Sequence, residues 1–288
     1  MPELPEVETV RRQLLPIVSD ATITAVEVFH PKTVAYDTGI EDALVGATIT
    51  TIDRIGKLLI VSFLDRADLF LLIHLKMTGQ ILYVDETQRI SGGGHTLSET
   101  DISDLPHKHT RVSFSLHTGV TVYFNDMRLF GYCKRATASE TARIKATFGP
   151  EPHSPDFDPR AFAQKLRQRR APVKAALLDQ TLIAGLGNIY VDEVLFRVGV
   201  RPTRRAHRLL AREALAIAEA AGNILESAIA VGGTTFQHFT DTGGQAGNYT
   251  DHLKVFGQQG APCPLCGQPI EKIRVAGRGT HYCPDCQK

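Results

Sequence analysis

Four of the five cysteines in this sequence lie near its C-terminus, in the pairs Cys263-Pro-Leu-Cys266 and Cys283-Pro-Asp-Cys286, with sixteen residues between the pairs. Two C-x2-C pairs at this spacing can present four thiolates tetrahedrally to one metal ion. We expect one Zn²⁺; a rubredoxin-like iron site is the alternative. Because four protein ligands leave no open coordination position, the predicted metal role is structural. The remaining cysteine, Cys133, is expected to be a buried thiol.

The segment between the two cysteine pairs predicts a β-hairpin. Lys272-Ile-Arg-Val275 alternates in polarity as a strand does, and Gly277-Arg278-Gly279 is typical of a turn. The hairpin would carry Arg278 at its tip, where the guanidinium can contact a phosphate. Such a small module can hardly bury a core without the metal. We therefore predict a C-terminal zinc-finger β-hairpin over residues 251–288.

The N-terminus, Met1-Pro2-Glu3, offers a nucleophile. Methionine before proline is usually removed, which leaves Pro2 with a free secondary amine. An α-amino group titrates at about 8 and a lysine at about 10.4, so a larger fraction of the α-amino group is unprotonated at neutral pH. Condensed with a sugar carbon, this amine forms a cationic iminium that favours elimination, and Glu3 can shuttle protons. The alternative is that Pro2 and Glu3 are ordinary helix-start residues.

The surrounding elements indicate an α+β multidomain fold. Apolar residues recur at helical spacing from Leu4 to Leu14 and predict an N-terminal helix. Short β-like runs then predict an antiparallel sandwich or barrel: Thr22–Phe29, Ala47–Ile52, Leu58–Leu64, Leu69–Leu75, Arg111–Leu116 and Val120–Phe124. Among them, Ser91–Asp104 is expected to be a polar glycine-rich loop. Helical patterns follow at Pro159–Arg170, Val173–Asp179, Asn188–Val198 and Arg205–Val231.

These patterns predict four regions. We expect residues 2–135 to form an N-terminal β-sandwich domain, residues 136–152 a linker, residues 153–250 a helical domain, and residues 251–288 the zinc finger. Between Arg160 and Arg212 there are twelve basic and three acidic residues, a local net charge of +9 in a chain of net charge +1. Such a block indicates a bound polyanion, with a solvated helical face as the alternative.

The segment Ile183-Ala-Gly-Leu-Gly-Asn-Ile-Tyr190 lies inside this basic block. Gly185 and Gly187 permit a tight turn, and Asn188 is expected to be the N-cap of the next helix. Free N–H groups at that helix start can hold a phosphate. A plain helix–turn–helix connection is the alternative.

Composition excludes several classes of protein. With 43% apolar and 22% charged residues, the 288-residue chain is globular, neither fibrous nor disordered. The cysteine pattern does not fit a disulfide framework. The longest apolar run, Leu69–Ile73, is far too short to span a bilayer, and no targeting segment is visible. We expect a soluble, cytoplasmic protein with no membrane partner.

Several long motifs, in order along nearly the whole chain, resemble the formamidopyrimidine-DNA glycosylase (Fpg) family. They are PELPEVETVRR at 2–12, RIGKLLI at 54–60, HLKMTG at 74–79, NDMRLFG at 125–131, GPEP at 149–152, LLDQTLIAGLGNIYVDEVLF at 177–196 and AGRGTHYCPDCQ at 276–287. The resemblance implies that residues 2–135 are the catalytic domain and that residues 153–250 are a DNA-binding domain with a helix-two-turn-helix arrangement. It further implies a bacterial-type, monomeric enzyme with no small-molecule cofactor. It also implies base excision repair of oxidised purines, 8-oxoguanine and formamidopyrimidines, in damaged double-stranded DNA.

The resemblance also implies residue roles. Pro2 would form the Schiff base at C1′, Glu3 would be the acid–base partner, Lys57 the proton donor for β-elimination and Arg278 the residue for δ-elimination. A flipped base leaves a gap in the stack, and the family's intercalating positions are held here by Met77, Arg128 and Phe130. Positions that contact the DNA backbone are matched by His109, Arg169, Lys174 and Asn188. The segment Gly232–Tyr249 corresponds to the loop that closes over the flipped base.

Some positions depart from the family pattern, and two other functions remain open. Leu129 replaces a common basic residue, Lys76 replaces a common glycine, and the Ser91–Asp104 loop is longer than usual. An endonuclease VIII-like enzyme for oxidised pyrimidines is the first alternative, although that branch usually begins Pro-Glu-Gly-Pro and Leu4 favours Fpg. A non-catalytic zinc-dependent DNA-binding protein is the second, and it would not need Pro2, Glu3 and Lys57 together.

Overall fold

The computed structural model describes residues 2–85, 90–94, 105–234 and 249–288. Its contacts divide the chain into two compact units, Met1–Ala146 with Gly232–Asn248, and Thr147–Val231 with Tyr249–Lys288. Helices, antiparallel sheets and a C-terminal cysteine cluster confirm the predicted α+β class. Within the described residues, no helix combines the length and the apolar character needed to cross a membrane.

The first unit contains helices, two antiparallel sheets and their connections. Its helices are α1 (Leu4–Val18), a 3-10 turn (Pro31–Val34), α2 (Ile40–Leu44) and α3 (Ala138–Lys145). Its strands are β1 (Ile23–Val28), β2 (Ile49–Ile55), β3 (Leu58–Phe63), β4 (Phe70–His74), β5 (Gly79–Val84), β6 (Ile90–Gly94), β7 (Thr110–Leu116), β8 (Thr121–Asp126) and β9 (Tyr132–Ala136). The strand orders are β1-β7-β8-β5-β6 and β2-β3-β4-β9.

One apolar core joins the two sheets and α1, as the sandwich prediction required. Val7, Val10 and Leu14 of α1 are at most 5% exposed and pack with side chains of both sheets, such as Ile52 and Val112. The predicted helical stripe is therefore the buried face of α1. All nine strands pair antiparallel.

Part of the predicted polar loop is a strand. Ser91 to Gly94 lie in β6 and pair with β5, whereas residues 95–104 lie outside the described residues. The physical reason is close approach of the backbone to α1: a Cβ on Gly93 would stand 2.6 Å from Cγ2 of Val10. Glycines that indicate a turn in the sequence here allow a helix to pack on a strand.

The segment predicted as a linker, residues 136–152, contains the helix α3. Thr137 is its N-cap: the Thr137 hydroxyl accepts from the backbone N of Glu140 at 3.2 Å, and the Glu140 carboxylate accepts from the backbone N of Thr137 at 2.9 Å. This T-x-x-E capping box was readable in the sequence. The domain boundaries themselves stay predictions.

The second unit is helical, with a two-stranded hairpin near its C-terminus. Its helices are α4 (Pro159–Arg167), α5 (Val173–Leu177), α6 (Asn188–Arg197), α7 (Ala211–Ala230) and the 3-10 turns Ala206–Arg208 and Tyr249–His252; its strands are β10 (Glu271–Val275) and β11 (Arg278–Tyr282). The hairpin turn consists of Ala276 and Gly277, both with positive φ, +48° and +77°. Arg278, which was predicted at the tip, is therefore the first residue of β11, directly after the turn.

Candidate DNA-binding and catalytic site

Pro2 and Glu3 immediately precede α1, and both are buried, Glu3 completely. Glu3 is the N-cap residue of the helix, and its backbone N donates to Oε2 of Glu6 at 2.8 Å. This bond fixes the backbone next to Pro2. The predicted nucleophile is therefore attached to a rigid helix start.

The other carboxylate oxygen of Glu6 contacts the end of the described segment 105–234. Oε1 accepts from the backbone N of Thr234 at 2.7 Å and from its hydroxyl at 2.9 Å. Gly233 has φ +82°, and a Cβ there would lie 2.6 Å from the same oxygen. Glycine is thus required at this contact. The rest of the predicted base-covering loop, residues 235–248, lies outside the described residues.

Lys57 is half-buried and directly precedes β3, after Gly56 with φ +56°. Arg54 holds this turn, because its guanidinium donates to the Gly56 carbonyl oxygen at 2.9 Å. The same guanidinium donates through Nε to Oε2 of Glu8 on α1, also at 2.9 Å. Glu8 and Arg54 therefore connect the helix that follows Pro2 to the turn that presents Lys57. Sequence reasoning missed both residues.

Glu8 also accepts from Arg11 and Arg12, each at 2.8 Å. Burial alone would raise the pKa of Glu8, but hydrogen bonds from the three arginines hold its pKa down to about 2, from 4.5. The carboxylate is therefore ionised at every physiological pH and keeps the connection to Arg54.

His74, at the end of β4, lies near Lys57. Burial and the positive charges of Lys76 and Lys57 lower the pKa of His74 to about 3. Its Nδ1 accepts from the backbone N of Lys76 at 3.0 Å. A neutral imidazole here adds no positive charge beside the predicted catalytic lysine.

The predicted intercalating residues stand on two loops of the first unit. Met77 is half-buried in the turn between β4 and β5, while Arg128 and Phe130 are exposed in the loop after β8. The Arg128 guanidinium carbon lies 4.6 Å from the centre of the Phe130 ring. Exposure of both side chains suits a contact outside the chain. His109, predicted to contact the DNA backbone, directly precedes β7 in the same unit.

The basic block of the second unit is largely accessible. Ten of its twelve basic residues are exposed, among them Arg169, which lies 3.6 Å from the Asp179 carboxylate. Arg278 is exposed as well. A surface of this charge favours a polyanion.

Lys174 differs from the rest of the block, since its side chain is completely buried. Its ammonium donates to the Asp192 carboxylate at 2.7 Å and to the Gly279 carbonyl oxygen at 3.1 Å. Its predicted contact with the DNA backbone stays a prediction, and in this conformation the ammonium faces protein acceptors. Lys174 thereby fixes the residue next to Arg278.

Asn188 contributes to the same arrangement. Its Nδ2 donates to the Gly279 carbonyl oxygen at 3.0 Å. The prediction that Asn188 is the N-cap was wrong: Gly187 is the N-cap, and Asn188 is the first residue of α6. Gly187 has no side chain to cap the helix, and the Asn188 amide bonds to the hairpin instead. Asp192, also on α6, accepts from the backbone N of His281 at 2.9 Å.

The four predicted cysteine ligands come together. All four sulfur atoms lie within 4.8 Å of one another, with 3.4 Å between Cys266 and Cys283 and 3.8 Å between Cys263 and Cys286. A tetrahedral zinc with bonds of about 2.3 Å requires sulfur–sulfur edges of about 3.8 Å, so the cluster fits one ion. It is a structural zinc site. Cys133, as predicted, is completely buried.

The zinc module is attached to α6 by a buried carboxylate. Glu193 accepts from the backbone N–H groups of three successive residues, Lys254, Val255 and Phe256, at 2.8 to 2.9 Å. Burial raises the pKa of Glu193, against these hydrogen bonds, which lower it. Phe196 of α6 packs in the small core formed with the cysteines.

Three family models match successive parts of this chain. They are the formamidopyrimidine-DNA glycosylase N-terminal domain at residues 1–133, the formamidopyrimidine-DNA glycosylase H2TH domain at residues 148–240, and the zinc finger found in FPG and IleRS at residues 260–288. The chain is thus similar to this enzyme in each predicted part.

Relatives and solved structures indicate the same family as the three models. The formamidopyrimidine-DNA glycosylases of Exiguobacterium sibiricum and Desulforamulus reducens are 41% and 39% identical, over 100% of this chain and 99% of theirs. A Lactococcus lactis Fpg bound to abasic-site DNA has a TM-score of 0.86 at 34% identity, covering all of both chains. A mutant of the Lactococcus lactis FPG bound to Fapy-dG-containing DNA has a TM-score of 0.86 at 35% sequence identity, also covering all of both chains. This chain belongs to the formamidopyrimidine-DNA glycosylase family.

Proposed function

We propose that this glycosylase is bifunctional: it excises 8-oxoguanine and formamidopyrimidines from duplex DNA and then cuts the strand as an AP lyase. The observation that carries the proposal is the helix start of the first unit. Pro2 and Glu3 adjoin a helix that is bonded through Glu8 and Arg54 to the turn presenting Lys57. Similar solved structures hold Fapy-dG, abasic-site or carbocyclic 8-oxo-G DNA.

The reaction begins at the nitrogen of Pro2. This nitrogen attacks C1′ of the damaged nucleotide, and the glycosidic electron pair leaves with the oxidised base. The C1′–O4′ bond of the sugar ring then breaks and O4′ takes up a proton, so that an iminium links Pro2 to the opened sugar. Glu3 exchanges the proton at the sugar. Loss of a C2′ proton next to the iminium then expels the 3′ phosphate by β-elimination, with Lys57 as the proton donor, and Arg278 binds the remaining phosphate for δ-elimination.

The exposed side chains of the first unit suit the opening of the duplex. Met77 and Phe130 fill the space that the flipped base leaves, and Arg128 donates to the orphaned cytosine. His109, Arg169, Lys174 and Asn188 are the proposed contacts to the DNA backbone. Lys174 takes that role directly only if its buried ammonium leaves Asp192, and otherwise acts through the hairpin.

One chain supplies all these groups, so we propose a monomer that needs no small-molecule cofactor. Its substrate is chromosomal DNA, and its relatives are bacterial, so the proposed location is the bacterial cytoplasm, at the nucleoid. The proposed domains are residues 2–135, 153–250 and 251–288, with residues 136–152 as linker.

Cleavage of two defined duplexes tests this function. We expect the zinc-loaded, Met-processed protein to cut a duplex with 8-oxoguanine opposite cytosine much faster than a duplex with thymine glycol, and to leave β,δ-elimination ends on a denaturing gel. Preference for thymine glycol would instead support an endonuclease VIII-like enzyme. Binding without cleavage of either duplex would support the non-catalytic alternative.

A further inference from the structure

Asp126, the last residue of β8, carries a carboxylate that accepts four hydrogen bonds although the residue is 1% exposed. Oδ2 accepts from the backbone N of Phe130 at 2.8 Å and of Gly131 at 2.7 Å. Oδ1 accepts from the backbone N of Arg128 at 3.1 Å and from the Thr78 hydroxyl. The loop after β8 is thus wrapped around one buried anion.

This wrapping explains how the loop keeps an unfavourable conformation. Leu129 has φ +55°, a left-handed value that costs a β-carbon-bearing residue free energy. Bonds to the flanking N–H groups of Arg128 and Phe130 offset that cost. The result is two exposed side chains, with the guanidinium 4.6 Å above the ring, on a backbone whose direction the carboxylate sets.

The same carboxylate reaches the second loop. Thr78 directly follows Met77, and its hydroxyl donates to Asp126 while also accepting from the backbone N of Arg128 at 3.1 Å. The Met77 turn is itself closed by a bond of 2.8 Å from the backbone N of Gly79 to the carbonyl oxygen of Leu75. Met77 is therefore held in register with Arg128.

The backbone of Asp126 adds a third connection. Its N–H donates to the carbonyl oxygen of His109 at 2.9 Å, and its carbonyl oxygen accepts from Nε of Arg111 at 2.7 Å. The residue proposed to contact the DNA backbone therefore joins the same hydrogen-bonded group. Three sequence segments meet at one aspartate.

We infer that Asp126 is the positioning residue of the duplex-opening machinery: its carboxylate sets the register between Met77 on one loop and Arg128 with Phe130 on the other. Asp126 does not touch DNA in this role and acts through those side chains. The inference rests on the proposed function, in which they fill the gap and read the orphaned cytosine.

Asp126→Asn tests the inference with little change of shape. An amide nitrogen replaces one of the two acceptor oxygens and must face N–H or O–H donors. The two hydrogen bonds that this oxygen accepts in the wild type are therefore lost. Hydrogen bonds to charged groups are strong enough that we expect cleavage of the 8-oxoguanine duplex to slow by about tenfold or more. We expect the ratio of rates opposite cytosine and opposite adenine to fall by about tenfold as well.

A single-stranded oligonucleotide with an abasic site separates positioning from general damage. Its sugar aldehyde reaches Pro2 without duplex opening, so its cleavage by Asp126→Asn should equal that by the wild type. The loss of negative charge has the opposite effect on DNA binding: removing a carboxylate from a DNA-binding protein strengthens non-specific binding. A loss on duplex DNA alone is therefore an effect of position, for which Asp53→Asn, exposed on β2, is the matched control.

Two further variants complete the test. Thr78→Val removes the connection between the loops but leaves the bonds to Phe130 and Gly131, and it should lower the duplex rate with a normal melting temperature. If Asp126→Asn does not fold, Thr78→Val carries the test. In an Arg128→Ala background, Asp126→Asn should scarcely change the opposite-base ratio further, because the residue it positions is gone.

The outcomes distinguish the inference from the proposed function. Wild-type protein that cleaves no lesion duplex refutes both. Wild-type cleavage with an unchanged duplex rate and opposite-base ratio in Asp126→Asn and Thr78→Val refutes the inference alone. Equal losses on duplex and single-stranded substrates also refute it, since they show a structural role only.

Discussion

Glu8→Gln breaks the connection between α1 and the Lys57 turn with minimal change in volume. The Glu8 carboxylate is 7% exposed and has its pKa lowered from 4.5 to about 2. At about 1.36 kcal/mol per pKa unit, the ionised form stabilises the folded state by about 3 kcal/mol at pH 7. The side chains of Arg11 and Arg12 are 25% and 59% exposed, so solvent screening makes this stabilisation an upper value. We expect Glu8→Gln to remove most of this stabilisation of the folded state.

The pH dependence has a definite sign. A carboxylate whose folded pKa is depressed stabilises fully above its unfolded pKa, here 4.5, and loses that contribution as pH falls through about 2. The difference between wild type and Glu8→Gln should therefore be constant from pH 8 to 5.5. At pH 3 it should shrink to about 1.4 kcal/mol.

Hydrogen–deuterium exchange resolved to peptides is the suitable assay, because the chain has two compact units and global unfolding would mix them. In the first unit, a loss of about 3 kcal/mol raises exchange of the most protected amides of α1 and β2–β3 by about 100-fold at pH 7. Comparison at each pH cancels the intrinsic rate. Arg12→Gln is the control: its side chain is 59% exposed, so the change should stay within about 1 kcal/mol.

Less than about threefold faster exchange in Glu8→Gln at pH 7 would refute this reasoning. So would a difference between the two proteins that persists undiminished at pH 3, because it would show that packing and not the carboxylate charge stabilises the helix.

Two predictions concern the second unit. Asp192→Asn leaves the buried Lys174 ammonium without its anion, which should cost about 3–5 kcal/mol of stability. It should also slow strand cutting more than base release, because Gly279 beside Arg278 loses its support. The control Glu213→Gln, whose partner is a partly exposed arginine, should cost about 1 kcal/mol or less, and equal melting temperatures for the two variants would contradict this. Cys283→Ser, or a strong chelator, should release one zinc per chain, raise amide exchange over Glu271–Tyr282 and weaken duplex binding; full metal content by elemental analysis or unchanged exchange would contradict it.

Local patterns predicted much of the fold. The stripe from Leu4 to Leu14 is the buried face of α1, and the two cysteine pairs form the predicted zinc site. Both signals depend on residues close in sequence, whose spacing alone determines the geometry. The same holds for the six strands predicted within a few residues of their observed ends.

Of the strands that the described residues form, three were not predicted, and in β6 the cause is packing between distant segments. Ser91–Gly94 appears as a loop until Val10 of α1 is seen to occupy the space that a side chain at Gly93 would need. Turn preferences of glycine describe the local backbone and contain no information about a helix some eighty positions earlier.

The supporting contacts of the site could not be predicted from the sequence for the same reason. Glu8 meets Arg54 across 46 positions, Asp126 meets Thr78 across 48, and Lys174 meets Gly279 across 105. In the sequence, nothing about Glu8, Asp126 or Lys174 indicates which distant residue it contacts. Only the folded chain shows that these carboxylates and this ammonium hold the segments that carry Lys57, Met77, Arg128 and Arg278.

The covalent link at Pro2 is the central claim, and peptide mapping after borohydride reduction tests it most directly. With the Met-processed protein and a duplex containing 8-oxoguanine opposite cytosine, we predict one reduced sugar adduct on the N-terminal tryptic peptide, Pro2–Arg11. Protein that retains Met1 should give none, because its Pro2 nitrogen is an amide. An adduct on Lys57 or another lysine, or no adduct with a processed protein that cleaves the duplex, would contradict the claim.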